Sequence, residues 1–267
     1  MKINILLISF TLLFFISCSN EENSLNNKLE SYHFKYMDYP SDMALNLTLD
    51  NLVKIHYDYN NKITKRVGGI LYLSSGSGYS TMFSDYLYDE VNYSFNQIKI
   101  KRKMSLENYS TPTFERILFI DNHNRITKKI IYDQTTHPYT KDTIIYSYDN
   151  LGLLTESYRG NLNSYNEKTK YYYNQDRNLD SIVRKKHYGN EPYYDKEKEV
   201  FSNFDSAINP LKKLIIFEET FIRALSKNNY AKCEIFKYNG SNNLYWQETK
   251  TWDLFYDENG NVNFNLF

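Results

Sequence analysis

The feature that most constrains this chain is a short pattern that recurs six times: an apolar or aromatic residue, then Asp or Asn, then four residues, then an aliphatic residue. The copies run Tyr57-Asp58 to Ile63, Ile120-Asp121 to Ile126, Tyr148-Asp149 to Leu154, Tyr173-Asn174 to Leu179, Tyr238-Asn239 to Leu244 and Tyr256-Asp257 to Val262. The third of the four intervening residues is Asn61, Asn124, Gly152, Arg177, Asn242 and Gly260 in turn, so five of six are Asn or Gly. A hairpin explains the spacing. The aromatic residue ends one strand, and the Asp or Asn side chain accepts hydrogen bonds from the turn's own amides. Asn or Gly then takes the left-handed conformation that other side chains resist. The aliphatic residue opens the return strand, and threonine follows it in three copies, at Thr64, Thr127 and Thr155. Arg177 departs from the rule, and Asn178 beside it offers a turn one residue later.

Composition agrees with strands and turns. The chain has 27 Tyr and 16 Phe, which favour sheets, and 32 Asn against 4 Ala, which favour turns over helices. Apolar residues make up 41% of it, enough for a folded core. Its 32 basic and 32 acidic residues cancel, so no electrostatic bias points to nucleic acid.

The start of the chain carries a different message. Lys2 precedes a mostly apolar stretch from Ile5 to Ile16, too short to span a bilayer comfortably. It ends in Phe15-Ile16-Ser17-Cys18, which resembles the lipobox of bacterial lipoproteins. The resemblance implies cleavage after Ser17 and lipidation of Cys18, with acyl chains that hold the protein on a membrane at about 0.8 kcal/mol per buried methylene. A lipidated Cys18 leaves Cys233 without a partner, so no intramolecular disulfide forms. Strand alternation places Cys233 on the face of Ile235, as a small buried residue rather than a reactive thiol. Residues 19–27 are polar, with one Leu and no periodicity, and read as a flexible tether. Glu21 and Glu22 resemble the acidic residues that follow the cysteine in Bacteroidetes lipoproteins sent to the cell surface.

The six copies resemble the YD repeats of RHS-type proteins and of many Bacteroidetes lipoproteins of unknown function, most plainly in Tyr256-Asp257-Glu258-Asn259-Gly260-Asn261-Val262. That group is built of antiparallel hairpins stacked edge to edge. Spacing between copies is irregular here, so the array is degenerate, and nothing matches the cleavage or toxin regions of large RHS proteins. One segment breaks the β pattern. Asn209 suits an N-cap and Pro210 a first helical position, while Leu211, Leu214, Ile215, Phe221, Ile222 and Leu225 follow helical spacing that only Glu218 mars. This segment, ending near Ser226-Lys227-Asn228-Asn229, resembles the C-terminal part of the lipoproteins classed as DUF4595.

Chemistry is less legible. His33, His56, His123, His137 and His187 lack the spacing of a helical metal pair. Ser74-Ser75-Gly76-Ser77-Gly78 lacks the spacing of a nucleophile elbow and the lysine of a phosphate loop. Asp257 to Asn261 offers alternating oxygens, but its glycine is misplaced for a calcium loop and turn chemistry accounts for it. Two carboxylates distant in sequence could still meet as a glycosidase pair. Tyr171, Tyr172, Tyr173, Tyr193, Tyr194, Trp246 and Trp252 either form an aromatic platform for a glycan or protein ligand or pack in the sheet, and adjacent strand residues facing opposite ways favour packing. Thr143, Ser181 and Ser206 each follow Asp and precede an aliphatic residue or Ala, resembling the O-glycosylation signal of exported Bacteroidetes proteins.

The expectation is therefore an all-β antiparallel meander of stacked hairpins forming a large curved sheet, with one C-terminal α-helix near residues 210–226. Residues 1–17 form the signal peptide, 18–30 the lipidated tether and 31–267 one domain. The function expected is a non-catalytic binding or structural lipoprotein of the outer membrane, exposed at the cell surface, without cofactor, metal or nucleic-acid partner. A cell-surface glycosidase or peptidase is the alternative.

Overall fold

The structure is a computed structural model that describes residues 28–37, 47–75, 78–105, 114–133, 140–160, 165–188 and 194–266. The expected signal peptide, Cys18, the tether up to residue 27, His137 and Tyr193 lie outside the described residues. The chain is all-β, with one sheet of 14 strands in strictly sequential order. In chain order these are β1 (Ser31–His33), β2 (Leu52–Tyr57), β3 (Ile63–Ser75), β4 (Gly78–Ser94), β5 (Gln97–Met104), β6 (Phe114–Ile120), β7 (Ile126–Asp133) and β8 (Thr140–Tyr148). They continue as β9 (Leu154–Gly160), β10 (Tyr165–Tyr173), β11 (Leu179–Tyr188), β12 (Tyr194–Phe204), β13 (Tyr230–Tyr238) and β14 (Leu244–Thr251). Every neighbouring pair is antiparallel, so the sheet is a pure meander.

The six pattern copies form one repeated turn. In each, the Oδ1 of Asp58, Asp121, Asp149, Asn174, Asn239 or Asp257 accepts from the amides two and four residues on, at 2.8–3.1 Å. The position three residues on is left-handed in all six: Asn61 (φ 62°), Asn124 (59°), Gly152 (79°), Arg177 (64°), Asn242 (60°) and Gly260 (78°). A turn of this shape adds one residue to a strand, and the register slips beside the aromatic position in the five copies that join strands. The three threonines span that slip, each donating its hydroxyl to the main-chain carbonyl eight residues earlier at 3.1–3.3 Å. The fourth turn does not shift to Asn178. Asn174 accepts from Asp176 and Asn178 like its counterparts, so its side chain imposes the geometry and Arg177 adopts the left-handed backbone.

Strand parity decides where the turns lie. Copies one to four join even strands to odd ones and the sixth follows β14, so these five share one end of the sheet, whereas the fifth joins β13 to β14 at the other end. The aliphatic residue behind each turn follows this division. Ile63, Ile126, Leu154, Leu179 and Val262 are buried, while Leu244 is half exposed. Tyrosines tie neighbouring copies: the Tyr148 hydroxyl donates to the Ile126 carbonyl at 2.8 Å, and that of Tyr173 is hydrogen-bonded to the Leu154 main chain.

The sheet curls around the long connection from β12 to β13. Within it a 3-10 turn, Pro210–Leu214, precedes α1, Glu218–Leu225, so the expected single helix over 210–226 is two pieces. Asn209 caps the first piece by accepting from the Leu211 amide at 3.0 Å, and its Nδ2 donates to the carbonyls of Arg223 and Ser226. The break falls at Phe217, which is extended (φ −104°, ψ 141°) and fully buried. It puts Glu218 and Glu219 in the first turn of α1, where the helix dipole favours acids and the sheet offers cations. The two edges of the sheet are joined by residues 252–266: the His33 amide donates to Phe264 O at 2.6 Å, Trp252 Nε1 donates to Lys35 O at 3.0 Å, and the Tyr36 and Phe264 rings pack edge to face at 5.0 Å.

Candidate functional site

Two clusters of polar side chains stand out. The first runs across the inner face of five strands. Arg66 on β3 and Arg102 on β5 flank Asp89 on β4 as cross-strand neighbours, at 3.1 and 3.0 Å, and Arg116 on β6 reaches the same carboxylate at 2.8 Å. Arg116 also pairs with Glu218 at 2.8 Å, Lys129 on β7 with Glu218 at 3.2 Å, and Arg66 with Glu219. Burial alone would raise the Asp89 carboxyl, but Arg116, Arg66 and Arg102 outweigh it and hold the group well below the usual carboxylate range. Glu218 is shifted the same way: crowding by protein opposes its charge, and Arg116 and Lys129 override that. Its side chain is 44% exposed, so solvent screens its pairs and the worth of the cluster rests mainly on Asp89. With Arg66, Asp89 and Arg116 at most 3% exposed, this row docks α1 onto the sheet, and the centre of its charge network is closed to a ligand.

The second cluster lines an open cleft of about 810 Å³ at the end of the sheet that carries five of the six turns. One wall is the fourth turn, Asn174 to Asn178, with Leu153 of the third; the other is the stretch from Phe204 to Lys212 together with the chain leaving α1, Leu225 to Asn228. Side-chain amides join the walls. Asn178 Oδ1 accepts from Ser226 Oγ at 3.2 Å and from the Asn228 amide at 2.7 Å, and Asn228 Nδ2 donates to Ala207 O at 2.9 Å. Asp205 is held by Asn229, through its amide at 2.9 Å and its Nδ2, and by the Tyr256 hydroxyl at 3.2 Å. Burial and that carboxylate push the Tyr256 phenol up. The sixth turn thus braces the cleft, whose walls are set without a ligand.

The remaining residues singled out from sequence are dispersed. Tyr171 is buried with its hydroxyl 3.0 Å from Ser157 Oγ, Trp252 is buried, Tyr172 is exposed, and Trp246 lies under Lys237 Nζ at 4.4 Å, so these rings form no common platform. Burial pushes the phenols of Tyr57, Tyr93 and Tyr171 up to about 12. Cys233 is buried in β13. Thr143 sits half-buried within β8 and Ser181 is 7% exposed within β11, both between two hydrogen-bonded neighbours, whereas Ser206 is exposed and lines the cleft. Among the described residues no group of three or more His, Cys, Asp or Glu is placed to hold a metal ion.

Sequence reasoning missed both clusters as assemblies. Glu218, the one polar residue on an apolar stripe, was the signal for the first, and Arg177, the one turn residue out of pattern, was the signal for the second.

No family model matches the chain, and no curated protein matches it. Among solved structures it is similar to a porin-like protein from Bacteroides vulgatus, with a TM-score of 0.50 and 12% identity over 80% of this chain and 87% of that one. A porin-like protein from Bacteroides uniformis aligns with a TM-score of 0.48 and 10% identity over 79% of each chain. At such identity the likeness is one of fold.

Proposed function

We propose that this chain is a YD-repeat-like lipoprotein, anchored through Cys18 in the outer membrane and exposed at the cell surface, where it acts as a non-catalytic binding module. The observation that carries the binding reading is the braced, open cleft at the turn-bearing end. The outward face of the sheet supports attachment by an anchor rather than by spanning strands. On β5, Ile98 and Ile100 point inward, while Lys99, Lys101 and Lys103 point outward and are 42–46% exposed. A lysine facing lipid at mid-bilayer costs about 2–4 kcal/mol, so a face of this kind belongs in water.

The test is metabolic labelling of the protein in its host with a fatty-acid analogue, combined with protease treatment of intact cells. The proposal expects label on the wild type, none on Cys18→Ala, and loss of the protein from unbroken cells. An unlabelled wild type, or a protein digested only after lysis, contradicts it. The hydrolase reading has one specific address, because Asp176 and Asp205 both line the cleft. Turnover of a saccharide or peptide that vanishes in Asp176→Asn would replace the binding reading with it.

A further inference from the structure

The cleft's own chemistry narrows what it binds, on the footing that it is the binding site just proposed. Its structural amides, Asn174, Asn178 and Asn228, are already engaged by the main chain. That leaves Gln175, Asp176 and Arg177 on one wall and Ser206 and Lys227 on the other, all exposed. Lys212 adds a further cation, and Asp205, though held by the neutral donors of Asn229 and Tyr256, remains an anion, so Arg177, Lys212 and Lys227 outnumber Asp176 and Asp205 by one in a chain whose net charge is zero. Phe204, packed edge to face on Tyr230 at 6.5 Å, and the half-exposed Ile208 give the floor an apolar patch. A volume of about 810 Å³ is far more than a single ion needs and falls in the range of sites for organic ligands.

Arg177 sharpens the picture. It occupies a left-handed position that the other five copies fill with Asn or Gly, and no hydrogen bond or ion pair to another described residue compensates its side chain for that. Arginine presents a planar fork of donors that grips a carboxylate with two parallel hydrogen bonds. We infer that the cleft binds an acidic oligosaccharide, with sugar carboxylates held by Arg177 and Lys227, ring hydroxyls met by Gln175, Asp176 and Ser206, and the C–H face of a ring laid on Phe204 and Ile208.

The experiment is calorimetric titration of the full chain in detergent with a galacturonate tetrasaccharide and, separately, with its methyl ester, which has the same rings without the charges. The acid form is expected to bind, with affinity that falls as salt is raised, and the ester at least tenfold more weakly. Arg177→Asn restores the residue type of the other turns, so it should fold normally by circular dichroism yet bind the acid form at least tenfold more weakly; Lys227→Gln should lose several-fold. Equal affinity for acid and ester, undiminished binding by Arg177→Asn, or no binding of either form would each overturn the inference. Equal affinity would leave the surface binding module standing, whereas an unlabelled Cys18 would remove the anchored reading without touching saccharide recognition.

Discussion

Asp89→Asn is expected to destabilise the fold by about 3–5 kcal/mol, the cost of breaking a buried ion pair and leaving its partner charge uncompensated. Asparagine nearly matches aspartate in shape, so the change opens no cavity and reads electrostatics alone. It leaves Arg66 and Arg116, both at most 3% exposed, facing each other without the carboxylate between them. Urea unfolding at neutral pH measures the loss, and a difference below about 1 kcal/mol would show that the row of charges is not a determinant of the fold. The same carboxylate contributes to the acid limit of stability. Its folded-state pKa is depressed, so its contribution is full above the ordinary aspartate value near 4 and is lost as pH falls from there towards the folded-state value. The variant should accordingly show a shallower decline of stability than the wild type across that acid window.

Phe264→Ala is expected to cost about 3–5 kcal/mol, as large-to-small changes of buried aromatics do. Here the ring is fully buried against Tyr36, and the Phe264 carbonyl accepts from His33 in β1. Residues 252–266 close the gap between the first and last strands, so the loss should reach across the molecule. Amide exchange should quicken in β1 and β2, which are distant in sequence, as well as around Trp252. A small loss confined to the last residues would mean that the tail merely rests on the sheet.

How far the sequence reveals this arrangement can be followed residue by residue. The hairpins are legible because their geometry is local: an Asp or Asn side chain and a left-handed residue three positions later suffice, and both are visible in a window of seven residues. The end of the sheet at which each turn lies is not local. It depends on counting β4 and β5, whose connection carries no copy of the pattern, and a miscount by one strand there reverses every later assignment. The pairing of Arg66, Asp89, Arg102, Arg116 and Lys129 is hidden for the same reason, since alternation gives each residue a face but only register brings the five together. The broken helix was concealed by its own periodicity, because Leu211 to Leu225 keep helical spacing across Phe217, and tertiary pairing of Glu218 and Glu219 overrides that local preference. Arg177 was visible as an exception, but its meaning depends on the stretch from Phe204 to Asn228 folding back against the fourth turn.

A reciprocal exchange of turn residues tests the central claim most directly, that one turn geometry built all six copies and that the fourth gave up its preferred residue for the cleft. Urea unfolding would compare Arg177→Asn with Asn124→Arg, two changes at equivalent positions of two turns. The account predicts opposite signs of about 1 kcal/mol, the order of the left-handed penalty for a side chain other than Asn or Gly, with Arg177→Asn more stable than the wild type and Asn124→Arg less. Destabilisation by Arg177→Asn, or no cost for Asn124→Arg, would contradict it.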